Sequence, residues 1–260
     1  MTAPANTESE VLPQPGVSPI AGLILLAWLA LGAGLLYAPD LRGPLTFAFV
    51  LVGWVLSVMA HEFGHALVAW LGGDRTVAAK GYLTLDPRRY MDAGTSLVIP
   101  VIVLALGGIG FPGGAVYLRP DLMRGPFWRS AASLAGPAFT FLVLVLLSGL
   151  VAVLETMGPE VQALSSAAAF LAFLQATALC LNLIPVPGLD GYGALKPFLP
   201  RGLRPSRKIE GLVFIGFVLL LLMSAPAGRA LFAAGADVST WAGVPREPIV
   251  DGYDAFHFWR

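Results

Sequence analysis

Few residues in this 260-residue chain can do chemistry. His61, Glu62 and His65 form a His-Glu-x-x-His pattern inside a long apolar stretch. On a helix, positions i and i+4 share a face, so His61 and His65 can offer two imidazoles to one metal ion. Glu62 lies beside that face, where a carboxylate can take a proton from a metal-activated water. Residues 45–71 hold no other ionisable side chain. Ionisable groups at membrane depth are costly and mark function by default. Three polar groups in five residues would each lose water without gain unless they shared a partner. The competing reading is that they line a solvated cavity without metal.

The elements that must position these groups are membrane spans. The chain is 57% hydrophobic and 12% charged, against about 25% charged in soluble domains. It reads as an integral membrane protein with several spans. Its net charge is zero, so no basic field invites nucleic acid. The single cysteine, Cys180, sits in an apolar run and cannot form an intrachain disulfide. Residues 1–18 lack Lys and Arg, unlike the start of a cleaved signal peptide, and read as a disordered tail. Full spans are predicted at about 20–38, 45–71, 130–154, 163–184 and 209–223.

Between the second and third spans the pattern changes. Residues 77–85 read as a short extended segment, and 111–118 as a turn into a strand. Residues 94–111 are apolar, but Pro100 and the glycines at 107, 108 and 110 interrupt them. Their unbroken core is too short for a crossing and favours a re-entrant segment. The expected fold is therefore an all-α polytopic membrane protein with about five full transmembrane helices. A re-entrant segment and a short β-hairpin lie near the site. One transmembrane domain covers 19–225, with its core at 45–195, and a polar, aromatic tail follows at 226–260.

Catalytic zinc usually takes three protein ligands and one water. His257 is the only other histidine, but it sits in the tail. Asp190 follows a span broken by Pro185, Pro187, Gly188 and Gly191. Broken helices at membrane depth are tolerated where they line protein or water. For Asp190 to meet His65, the second and fourth spans must run the same way. A dip at 94–111 allows this; a full crossing forbids it. The positive-inside rule tests the choice independently. With the dip, 12 of the 16 Lys and Arg share the site's side: Arg75, Lys80, Arg88, Arg89, Arg119, Arg124, Arg129, Lys196, Arg201, Arg204, Arg207 and Lys208. Six full crossings split the same cations nine against seven. The site is thus expected near the cytoplasmic face.

The segments His61-Glu62-Phe63-Gly64-His65, Gly136-Pro137 and Asn182-Leu183-Ile184-Pro185-Val186-Pro187-Gly188-Leu189-Asp190-Gly191 together resemble the site-2 proteases, which are intramembrane zinc metalloproteases. Leu83-Thr84-Leu85-Asp86-Pro87 and Asp92-Ala93-Gly94-Thr95 look like the short bacterial members without a PDZ domain. The resemblance covers roughly residues 45–195. It implies one Zn2+ per chain held by His61, His65 and Asp190, with Glu62 as general base. It also implies that Asn182 holds the substrate or oxyanion, with Thr140 as a second such position. Two residues depart from the pattern. Thr140 stands where the family often has Asn, and Tyr192 where it often has a second Gly.

The expected activity is hydrolysis of a peptide bond in or near a substrate's transmembrane segment, in a bacterial plasma membrane. The expected partners are that substrate and the lipid bilayer, with no nucleic acid. The rival readings are a metal transporter or metal-binding membrane protein using the same ligands, and an inactive homologue.

Overall fold

The computed structural model describes residues 16–90 and 116–260. A backbone in lipid must satisfy its own hydrogen bonds, so the apolar runs become helices. α1 (Pro19–Tyr37) is capped by Ser18, whose Oγ accepts the Ala21 N–H. A 3-10 turn leads into α2 (Arg42–Gly72), the long helix that carries the histidine motif. α3 (Thr76–Ala79) is a single turn. α4 (Pro126–Leu154) and α5 (Gln162–Leu183) follow, and α6 (Asp190–Leu195) is a short helix beyond the Pro-rich break.

Four of these are long and apolar enough to cross a membrane: α1, α2, α4 and α5 with their adjoining turns. α7 (Arg207–Met223) and α8 (Ala225–Trp241) meet at Ser224 with an 89° bend. They supply a fifth span only if the bent pair counts as one. The all-α polytopic expectation holds.

α4 runs antiparallel to α2. His61 faces Thr140, His65 faces Ala132, and Gly72 faces Trp128. α5 runs parallel to α2, with Gly53 against Leu171. Phe49, Val50, Trp54 and Val58 of α2 pack with Leu144, Leu147 and Val151 of α4 on an alanine-rich face of α5. Small residues let membrane helices approach closely, which makes α5 the buried centre. α2 and α5 therefore end on the same side, as a His65–Asp190 contact requires. The chain leaves α2 and enters α4 at that same end, where the Arg124 N–H donates to the Gly72 carbonyl at 2.9 Å. The re-entrant expectation at 94–111 lies outside the described residues, as do 1–15 of the N-terminal tail.

Two expectations need correction. Residues 77–85 are not extended. They form α3 and a 3-10 turn at Tyr82–Thr84, and no strand occurs among the described residues. Leu85 adopts a left-handed φ of 54°, which ends any extended run. The consecutive residues Val77 and Ala78 are both buried, as are Tyr82 and Leu83, so burial does not alternate. The hairpin's second arm lies mostly outside the described residues. The polar, aromatic residues 226–260 are helical rather than a free tail. α9 (Arg246–Phe256) places Ile249, Gly252 and Phe256 on one side at helical spacing. Phe256 is fully buried, 5.0 Å from the Phe47 ring and 5.3 Å from Phe170. His257 follows this helix at the start of α2, and about 20 Å of helix separates Phe47 from His61. It cannot join the histidine motif.

Candidate metal centre

The α2–α4 seam builds half of the site. His61 Nδ1 lies 2.9 Å from Thr140 Oγ1. His65 Nδ1 lies 2.7 Å from the Ala132 carbonyl, which can only accept, so this nitrogen carries the proton. That leaves the His65 Nε2 lone pair free for a metal, and the Thr140 contact supports the same state in His61. The two Nε2 atoms face each other at 3.0 Å. Both rings are buried.

Asp190 completes the site. Pro185 and Pro187 stop α5, and α6 starts with Asp190 turned back over the end of α5. Gly191 permits this turn. A Cβ there would collide with the Leu183 carbonyl. Asp190 Oδ2 lies 3.2 Å from His61 Nε2, and Oδ1 lies 3.3 Å from His65 Nε2. The three expected ligands thus offer atoms within 4.8 Å of one another.

The donor set fits a cation. Two bare imidazole nitrogens and two carboxylate oxygens converge, and all are acceptors when the ring protons sit on Nδ1. Zinc–ligand bonds of about 2.0–2.2 Å imply tetrahedral edges of roughly 3.4 Å. The observed 3.0–3.3 Å separations are close to such edges. Gly136 makes the approach possible. A Cβ on it would stand 2.6 Å from His61 Nε2 and closer still to His65 Nε2.

Glu62 is buried beside the ligands, and its Oε2 accepts the Val116 N–H at 2.9 Å. Val116 begins a strap over residues 116–124 that runs back along the end of α2. The strap is held by its main chain. Lys80 Nζ donates to the Tyr117 carbonyl at 2.7 Å, and the Arg119 N–H donates to Asp74 Oδ2 at 2.7 Å. Asp74 is fully buried, and its Oδ1 also accepts the N–H and hydroxyl of Thr76. At the margin, Arg88 hydrogen-bonded to Asp86 holds that carboxyl below the usual range.

Asn182 is buried on the last turn of α5, eight residues before Asp190. The structure brings together His61, His65, Asp190 and Thr140. It places Thr140 behind a ligand ring. Tyr192, the second departure from the family pattern, donates its hydroxyl to Glu210 Oε1 at 2.9 Å and so ties α6 to α7. Sequence reasoning missed the Ala132 carbonyl and the Val116 N–H, because main-chain groups carry no residue signature. It also missed Asp74. Its place after Gly72-Gly73, with Thr two residues on, signals an Asx turn, but nothing in that signal points to the strap.

Thr140→Val should leave the His61 N–H buried without an acceptor and free the ring to tilt. Zinc affinity is expected to fall roughly ten- to a hundred-fold, the usual cost of losing a group that orients a ligand. Thr140→Ser should keep it. Chelator competition measures both, and equal affinity in the valine variant would show that Thr140 does not orient His61.

The spans and the buried acceptor set define a polytopic helical membrane protein of metalloprotease type. Known proteins agree. A Mycolicibacterium smegmatis protein provisionally named zinc metalloprotease Rip2 is 42% identical over 250 residues, covering 93% of this chain and 94% of its own. A Mycobacterium tuberculosis protein of the same name is 46% identical over 217 residues, or 80% and 81% of the two chains. Bacillus subtilis YwhC, with the same provisional description, is 27% identical over 187 residues, or 67% and 80%. No family model matches the chain, and no solved structure matches it. The chain belongs to the site-2 protease family.

Proposed function

We propose that this protein is an intramembrane zinc metalloendopeptidase that hydrolyses a peptide bond in or near the transmembrane segment of a membrane-protein substrate. The observation that carries the reading is the convergence of His61 and His65, on a membrane-spanning helix, with Asp190 just beyond the end of another, and Glu62 alongside. These three residues hold one zinc ion per chain. Zinc bound there supplies Lewis acidity and lowers the pKa of its water to about 7.

The chain's own groups supply the rest. Glu62 has one oxygen fixed by Val116, which leaves Oε1 to take a proton from the attacking water and pass it to the leaving amine. A transmembrane helix hides its carbonyls in internal hydrogen bonds, so the substrate must unwind before it reaches Glu62. Asn182, buried on the last turn of α5, steadies the unwound segment in this reading. Among the described residues, the only ionisable side chains buried within the spans are His61, Glu62 and His65. A transporter would be expected to spread such groups along a path. The lysine and arginine distribution supports a bacterial plasma-membrane setting with the site towards the cytoplasm.

The test is cleavage of a co-expressed membrane-protein reporter. Wild type should cut it. Glu62→Gln should lose about 10²- to 10⁴-fold in rate while keeping its zinc. Equal cleavage by both would sink the mechanism.

A further inference from the structure

A second feature lies about one helical turn from the metal centre, on the side where α2 and α5 end. It is a cleft of about 270 Å³ between the strap, the start of α4 and the turn after α6. Leu118 and Met123 come from the strap, Arg129 from α4, and Lys196, Pro197 and Arg204 from the far wall. Ser133 and Gly193 close the inner end, one residue from Ala132 and three from Asp190. We propose that this cleft binds the phosphate-bearing headgroup of an anionic phospholipid.

Charge comes first. Three cations line the cleft, and among the described residues no acidic one does. Lys196 is paired with Glu210 at 2.6 Å, which leaves a net excess of two positive charges from Arg129 and Arg204. Asp121, whose carboxyl feels the Arg129 charge, is held by Arg119 at 2.7 Å. Arg129 Nε is buried with no hydrogen-bond partner. A buried donor left unpaired costs about 1–3 kcal/mol, and this one belongs to a residue that lines the cleft.

Geometry comes next. Arg204 is fixed by two of its own donors, Nε on the Leu199 carbonyl at 3.0 Å and Nη2 on the Pro197 carbonyl at 3.2 Å. Its remaining N–H groups stay available. Two guanidinium groups around a small cleft suit a phosphate, which each can grip with paired donors.

A free phosphate and a lipid headgroup share that chemistry. The surroundings favour the lipid. Leu122, Phe127, Leu195, Phe198 and Leu203 are 43–70% exposed, and each lies within two positions of a cleft residue. A soluble anion site has no use for such a rim. At a membrane surface it enters the acyl boundary while the cations meet headgroups, the pattern of basic headgroup pockets between transmembrane helices.

The test uses the full chain in neutral detergent, with lipids added and bound species counted by native mass spectrometry. Dioleoyl phosphatidylglycerol should bind at one copy per chain, and dioleoyl phosphatidylcholine should wash out. Arg129→Gln with Arg204→Gln should weaken phosphatidylglycerol binding by about thirty-fold, at roughly the value of two juxtamembrane cations, with zinc content unchanged. Arg229→Gln, on α8, should leave binding intact. If the double variant does not fold, Arg204→Gln alone, in an exposed turn, should show a loss of about five-fold. Unchanged retention in the variants would overturn the assignment. Displacement of the lipid by millimolar inorganic phosphate would also overturn it in favour of a free anion. Peptide cleavage is not read, so this result stands apart from that of the protease reading.

Discussion

Asp190→Ala is expected to strip the protein of zinc and of proteolysis together. Both imidazoles sit on one helix, and two ligands from one element hold a metal weakly. Asp190 comes from the far side of α5, and its two oxygens reach one histidine each. Its loss removes the third ligand and the negative charge that offsets the cation. The effect should exceed the roughly ten- to hundred-fold seen when only an orienting group is lost. Asp190 sits on a six-residue helix at the surface end of the bundle and is itself partly exposed. The four spans should therefore still assemble. Elemental analysis of the purified variant gives the answer, and undiminished zinc would remove Asp190 from the ligand set.

The second large effect is expected from a single methyl group. Gly136→Ala puts a Cβ 2.6 Å from His61 Nε2 and 2.5 Å from His65 Cε1. No side chain tolerates such contacts, and the obstacle is not a flexible tip. The rings are tied by Thr140 and Ala132 on the same helix that carries the new methyl. Either the imidazoles swing off the metal position or α2 and α4 part. Overpacking of this kind costs about 1–3 kcal/mol in stability. A displacement near 1 Å at reacting groups can cost on the order of a hundred-fold in rate. Gly136→Ala should therefore lose most of its activity and much of its zinc affinity while remaining in the membrane. Wild-type cleavage by this variant would mean that the seam is looser than these distances.

Much of this centre was legible in the sequence because its donors are side chains of rare types in apolar surroundings. His61, Glu62 and His65 announce themselves, and the Pro-rich break before Asp190 marks a helix that must end near protein. The parallel course of α2 and α5 followed from the need for Asp190 to meet His65, with charge counting as its independent test. What stayed hidden has a common cause. The resemblance points Thr140 towards substrate, and the structure shows its hydroxyl 2.9 Å from His61 Nδ1. The difference depends on the antiparallel register of α4, which no local pattern carries. Residues 77–85 looked extended from their Val, Tyr and Thr content. Burial of the adjacent pairs Val77–Ala78 and Tyr82–Leu83 and the left-handed Leu85 decided for helical turns. The C-terminal residues looked like a tail because charges and prolines dilute their apolar face. Ile249, Gly252 and Phe256 repeat at helical spacing, and the pockets they fill lie on α2 and α5, far away in sequence.

The strap over Glu62 is gripped at Val116 N–H, Tyr117 C=O and Arg119 N–H, by Glu62, Lys80 and Asp74. Every one of those anchors is a peptide group. An alanine scan along the strap would thus leave each of these three anchors untouched. From the strap's own side, only chemistry that edits the peptide bond reaches them, such as a proline or an ester at position 116. The side chains at these three positions can change while the main-chain contacts stay constant, and a family of such proteins could keep this clamp with no residue in common at them.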